Sequence, residues 1–122
     1  MNDIFILIGP TASGKSNLAI KLVNKFPFEI INADLFSAYR DLSIGTAKPS
    51  KEELNRYKHH LINILEPTMQ YNVSQYCADA KKCIREILSS NKIPLITGGS
   101  MMYVHQLLNG LSHEYDVSDT DL

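Results

Sequence analysis

No tryptophan occurs in the 122 residues, and cysteine occurs only twice, as Cys77 and Cys83. Six residues apart in a helical pattern, the two lie on different helix faces and do not pair. That excludes a disulfide scaffold and fits small buried thiols in a reducing compartment. An excess of one charge is also lacking: 12 basic residues face 13 acidic ones, for a net charge of -1. No global field draws the chain to nucleic acid, so any RNA contact is local. No apolar run is long enough to cross a bilayer, and no charged-then-apolar leader opens the chain. The expected location is cytoplasmic, with no membrane partner. With 44% apolar residues, the length suits one domain around a single core.

What is present is an alternation of strand and helix patterns. Residues 3–9, "DIFILIG", form a continuous apolar run ending in glycine, as a strand buried on both faces does. "KSNLAIKLVNKF" follows with Leu18, Ala19, Leu22, Val23 and Phe26 at helical spacing, and Pro27 stops it. "FEIINAD" is a second strand. The segment from Leu35 to Glu53 is rich in turn residues and reads as an irregular connection. "HHLINIL" is a third short strand, with a helix as the competing reading. "SQYCADAKKCIREILSS" is a helix with Ser74 as candidate N-cap and Cys77, Ala80, Ile84, Ile87 and Leu88 on one face. "KIPLITGGS" is a strand, and "MMYVHQLLNG" a helix closed by Gly110. The acidic stretch "SHEYDVSDTDL" lacks periodicity and reads as a frayed end.

This order predicts an α/β fold, a P-loop NTPase-like parallel sheet flanked by helices. Ligands in such sheets collect beyond the carboxyl ends of the strands. Gly9, Asp34 and Gly98–Ser100 all fall there.

The strongest motif is "GPTASGKS", Gly9, Pro10, Thr11, Ala12, Ser13, Gly14, Lys15 and Ser16, between a strand and a helix. Its glycines let backbone amides curl around phosphate oxygens, and the helix adds its positive end. Lys15 neutralises the terminal phosphates, and the Ser16 hydroxyl holds Mg2+. Asp34, at a strand end, is a metal ligand, a general base or a turn cap. Ser100 reaches phosphates or caps its helix. The strand "IPLITGG" lacks the acidic end of a magnesium-coordinating NTPase, so nucleotide hydrolysis is poorly supported. His59 and His60 are adjacent, so their side chains diverge and read as structural. Arg40 and Lys48 flank the site, and Met101 to Tyr103 read as core rather than as a pocket.

"GPTASGKS", "INAD", "IGTAKPS", "HHLI", "EP" and "PLITGGS" followed by Tyr103 occur in the order and spacing of another known group. Over residues 4–112 the chain resembles the amino-terminal portion of the tRNA dimethylallyltransferases. The resemblance implies that the loop holds the diphosphate of dimethylallyl diphosphate with Mg2+. It also implies transfer of the prenyl group to the N6 amine of the adenine 3′ of the anticodon in tRNA. Asp34 then matches the general base, and Ser100 a threonine that contacts diphosphate and substrate. The tRNA contacts fall on Asp34, Leu35, Phe36, Ser37 and Ser100. The chain departs from the family where D-S-x-Q becomes "DLFS", with Leu35 for Ser and Ser37 for Gln, and where "HHLID" ends in Asn63.

The resemblance further implies a truncated core with an incomplete sheet at 1–112. The acidic tail, 113–122, stands where a helical tRNA-binding insertion would begin. A later diphosphate-binding arginine and most of the basic tRNA surface are then missing, and transfer is impaired. Two alternatives stand beside this reading. One is a non-catalytic remnant or half of a split enzyme completed by a second chain; the other is a small ATP-binding, kinase-like P-loop protein.

Overall fold

The computed structural model describes residues 3–8, 15–39, 51–111 and 116–121. Strands and helices alternate: β1 (Asp3–Ile8), α1 (Lys15–Lys25), β2 (Phe28–Asn32), α2 (Leu35–Ala38), α3 (Lys51–Arg56), β3 (His59–His60), α4 (Val73–Ser89), β4 (Ile93–Gly98), α5 (Met101–Leu111) and β5 (Asp116–Asp121). The strands form one sheet in the order β3-β2-β4-β1-β5, every neighbouring pair parallel. The expected α/β class holds.

Period-two alternation explains why the apolar runs are continuous, because each sheet face is covered. From β1, Ile4 and Ile6 face one side, joining Ile31, Ala33 and Ile96 under α4 and α5. Leu7, Ile30 and Leu95 face the other, packed with Ala19, Leu22 and Val23 of α1. Phe5 and Phe28 meet edge to face on that side, 5.3 Å between centroids.

Helix α4 is capped two residues earlier than expected. Asn72, not Ser74, is the N-cap: its side chain accepts the Gln75 amide, and the Gln75 side chain accepts the Asn72 amide. Its buried face carries Tyr76, Ala80, Ile84 and Ile87, with Cys77 and Leu88 only partly covered. Both cysteines are free thiols.

Four other expectations change. Gly110 lies inside α5 rather than closing it, beneath the Lys81 side chain. Met101 and Met102 are exposed, so only Tyr103 of that trio is core. The polar helix α3 arises within the stretch read as irregular, with Glu52 and Glu53 in its first turn and Arg56 in its last, as the helix dipole favours. The acidic stretch read as frayed contains β5, whose backbone pairs residue by residue with β1 from Asp3↔Asp116 to Ile8↔Asp121. Satisfying the outer peptide groups of β1 is a backbone requirement that side-chain periodicity does not report.

At the other edge, β3 is only two residues long, and its histidines diverge as expected. His60 Nε2 lies 2.7 Å from Glu29 Oε1, and His59 Nδ1 lies 2.8 Å from the Tyr57 carbonyl. Burial is the main reason His59 titrates below the ordinary histidine range, against the opposing hydrogen bond to Tyr57. A base with a depressed folded pKa stays neutral in the fold while the unfolded chain takes up protons first. Stability is therefore intact above the unfolded value of about 6.5 and falls as pH drops below it. Urea unfolding midpoints are expected to fall between about pH 7.5 and about pH 5.5. The fall should be smaller in His59→Asn.

Candidate functional site

Three consecutive residues leaving β2 are held from both sides. On one side is the turn after β4. The Ala33 amide donates to the Thr97 carbonyl at 2.8 Å, and the Ser100 amide donates to the Ala33 carbonyl at 2.9 Å. The Leu35 amide donates to Ser100 Oγ at 2.9 Å. These bonds demand a close approach that only glycine permits. A Cβ built on Gly98 would stand 2.2 Å from the Ala33 carbonyl carbon.

On the other side is Asn32. Its Oδ1 accepts the Asp34 amide at 3.0 Å, while Nδ2 donates to the Asp34 carbonyl at 2.7 Å and to the Leu61 carbonyl at 3.1 Å. Leu61 follows β3 with φ 66°, and Asn63 has φ 57°. The left-handed conformation costs a residue such as leucine roughly 1–2 kcal/mol, but asparagine adopts it readily. Asn63, one of the departures noted in the sequence, thus occupies a position suited to its type. Sequence reasoning passes over Asn32; the available signal is a lone polar residue closing an apolar strand run.

Asp34 is thereby presented at the carboxyl end of the sheet, partly exposed. The last residue of β1, Ile8, pairs with Gly98, so the chain leaves β1 beside the turn that clamps Ala33 and Leu35. Helix α1 begins at Lys15. The expectations for Gly9 to Gly14, for Arg40 and Lys48, and for the side chains of Lys15, Ser16, Phe36 and Ser37 fall outside the described residues. Of the sequence-predicted site, the structure brings Asp34, Leu35 and Ser100 together.

The Ser100 hydroxyl is committed across the chain. It accepts the first amide of α2, while its carbonyl accepts the Tyr103 and Val104 amides of α5. Its proton is still free to donate, because a hydroxyl can accept and donate at once.

Behind Asp34 and Leu35 the side chains of Tyr71, Tyr76 and Tyr103 close a tight seam with no room for a water molecule. The Tyr76 and Tyr103 rings lie 5.0 Å apart, tilted by 31°. Tyr71 donates to Asp79 Oδ2 at 2.5 Å, and Tyr103 donates to the Tyr71 carbonyl at 3.3 Å. Burial raises the pKa of all three phenols, so they stay neutral. Burial likewise raises the Cys77 thiol and pushes Cys83 up to about 11, which removes both as thiolate nucleophiles near neutral pH. No three His, Cys, Asp or Glu side chains among the described residues are grouped to hold a metal ion.

The Tyr76 hydroxyl is buried without a hydrogen-bond partner. Removing an orphaned buried hydroxyl relieves a desolvation cost and breaks no bond. Tyr76→Phe is expected to unfold in urea at the same or a higher concentration, with a gain of up to about 1 kcal/mol. A loss of similar size would mean that the hydroxyl is paired.

A family model described as IPP transferase matches residues 37–122. A tRNA dimethylallyltransferase of Legionella pneumophila is 50% identical over 109 residues, covering 89% of this chain and 35% of that relative. One from Leuconostoc mesenteroides is 46% identical over 121 residues, covering 99% and 41%. The solved tRNA isopentenylpyrophosphate transferase of Bacillus halodurans superposes with a TM-score of 0.84 at 32% identity, covering 90% of this chain and 36% of that one. The chain thus spans well under half the length of the relatives it matches.

Proposed function

The chain belongs to the IPP transferase family, and from that premise we propose that it carries the donor-binding and proton-accepting part of a tRNA dimethylallyltransferase. The observation that carries the reading is the placement of Asp34. Asn32 holds its peptide, and its neighbours Ala33 and Leu35 are tied to the turn at 97–100, beside the strand end from which the phosphate-loop sequence departs.

In this reading, residues 9–16 bind the diphosphate of dimethylallyl diphosphate. Backbone amides, the positive start of α1 and the Lys15 ammonium take up the charge that grows on the departing diphosphate. Mg2+ would add charge neutralisation there. It binds mainly through substrate phosphates and needs few protein oxygens, so the Ser16 hydroxyl suffices as the chain's own ligand. Asp34 accepts the proton of the exocyclic adenine amine as the new carbon–nitrogen bond forms and the carbon–oxygen bond to diphosphate breaks. Ser100 holds α2 through the Leu35 amide and directs its remaining proton toward a phosphate oxygen.

The adenine must leave its stack to reach Asp34, and Leu35, Phe36 and Ser37 are the residues placed to meet it. With net charge -1, this segment grips tRNA weakly by itself. A helical tRNA-binding insertion of the kind the resemblance implies would supply that grip, from this polypeptide or from a second chain. Such chemistry belongs in the cytoplasm.

Ligand-induced stabilisation tests the reading. Dimethylallyl diphosphate with Mg2+, at about a hundredfold its Kd, is expected to add about 2.7 kcal/mol to unfolding stability. Lys15→Ala should abolish that gain. Stronger stabilisation by ATP would replace the reading with a nucleotide-binding one, and no effect from either ligand would leave a remnant of the fold.

A further inference from the structure

We infer that Asn32 is a positioning residue for Asp34, acting through one carboxamide that ties the Asp34 peptide to the strained turn after β3. The inference rests on the reading of Asp34 as the base, and it concerns how that base is kept in place.

Asn32 is 6% exposed and is the buried polar side chain of the core among the described residues. Burying an amide is unfavourable unless its hydrogen-bonding capacity is met. Here both Nδ2 protons and Oδ1 are engaged, and two of the three bonds go to Asp34 itself. The side chain is thus spent on orienting a neighbour. Few replacements offer the same set: aspartate has no donor when ionised, serine cannot span three partners, and glutamine is one methylene too long.

The third bond extends the hold. It ends on the carbonyl of Leu61, a bulky residue in the left-handed region. Strain of that kind persists where surrounding structure imposes it. The same segment is fastened to α2, because the Ile64 and Leu65 amides both donate to the Ala38 carbonyl. Asn32 therefore links the base, through Leu61, to the segment that also anchors the far end of α2.

The division of labour gives a local signature. Ala33 and Leu35 are tied to the 97–100 turn and Asp34 to Asn32, so losing the carboxamide loosens Asp34 between two residues that stay fixed. Amide hydrogen exchange, followed by NMR on the full chain, reads this directly. In Asn32→Ser the Asp34 amide is expected to exchange roughly tenfold faster, while the Ala33, Leu35 and β4 amides stay within about threefold of the wild type. Unchanged exchange at Asp34, or acceleration spread evenly over β4, would overturn the inference.

Should the serine variant fail to fold, Asn32→Asp keeps the size and the acceptor and removes both donors. The Asp34 and Leu61 carbonyl carbon shifts are then expected to move more than those of any other residue, and smaller movement there would contradict the inference. Neither readout needs prenyl transfer. If the wild type transfers dimethylallyl to an anticodon stem-loop, Asn32→Ser is expected to lower kcat with KM unchanged. If it does not, the exchange data still decide whether Asn32 positions Asp34.

Discussion

The contact between Gly98 and the Ala33 peptide is the constraint on which the site depends. With no side chain at 98, the exit of β4 lies against the exit of β2, and a methyl group there would occupy the space of the Ala33 carbonyl. Because the two backbones touch, the turn at 97–100 and residues 33–35 can exchange three hydrogen bonds. Asp34 stands in the middle of that exchange. Its placement is therefore a consequence of backbone packing, set before any charge or ligand enters.

The layers around this contact keep it rigid. Apolar side chains cover both faces of β1, β2 and β4, and β4 lies between the other two. The register of β1 on β4 brings Ile8 to Gly98, so the chain leaves β1 at the strand end where residues 33–35 are held. In the proposed function, a base and a leaving-group site gain most when each is fixed relative to the other beforehand, and a sheet covered on both faces favours that.

Much of this was legible in the sequence, and the failures have physical causes. β1, β2, β4, α1, α4 and α5 announce themselves because apolar periodicity reports which faces are buried. The placement of Asp34 and Ser100 followed from their positions at strand ends. α2 escaped notice because four residues are too short to show a helical period, α3 because it is polar and carries no apolar stripe, and β5 because its pairing comes from the backbone edge of β1. The cap at Asn72 competed with an equally good candidate two residues later. Asn32 was hidden for a different reason: its three partners come from Asp34 and from Leu61, 29 residues away, which no local pattern records. The left-handed turn at Leu61 was equally invisible, since leucine gives no sign of it.

The backbone contact is best tested by Gly98→Ala, measured by urea unfolding followed through circular dichroism. Close packing against a peptide group, with no flexible side chain to yield, predicts a loss of about 2 kcal/mol or more, or failure to fold. An alanine variant as stable as the wild type would contradict the account, because β2 and β4 could then separate and the clamp on Asp34 would have another origin.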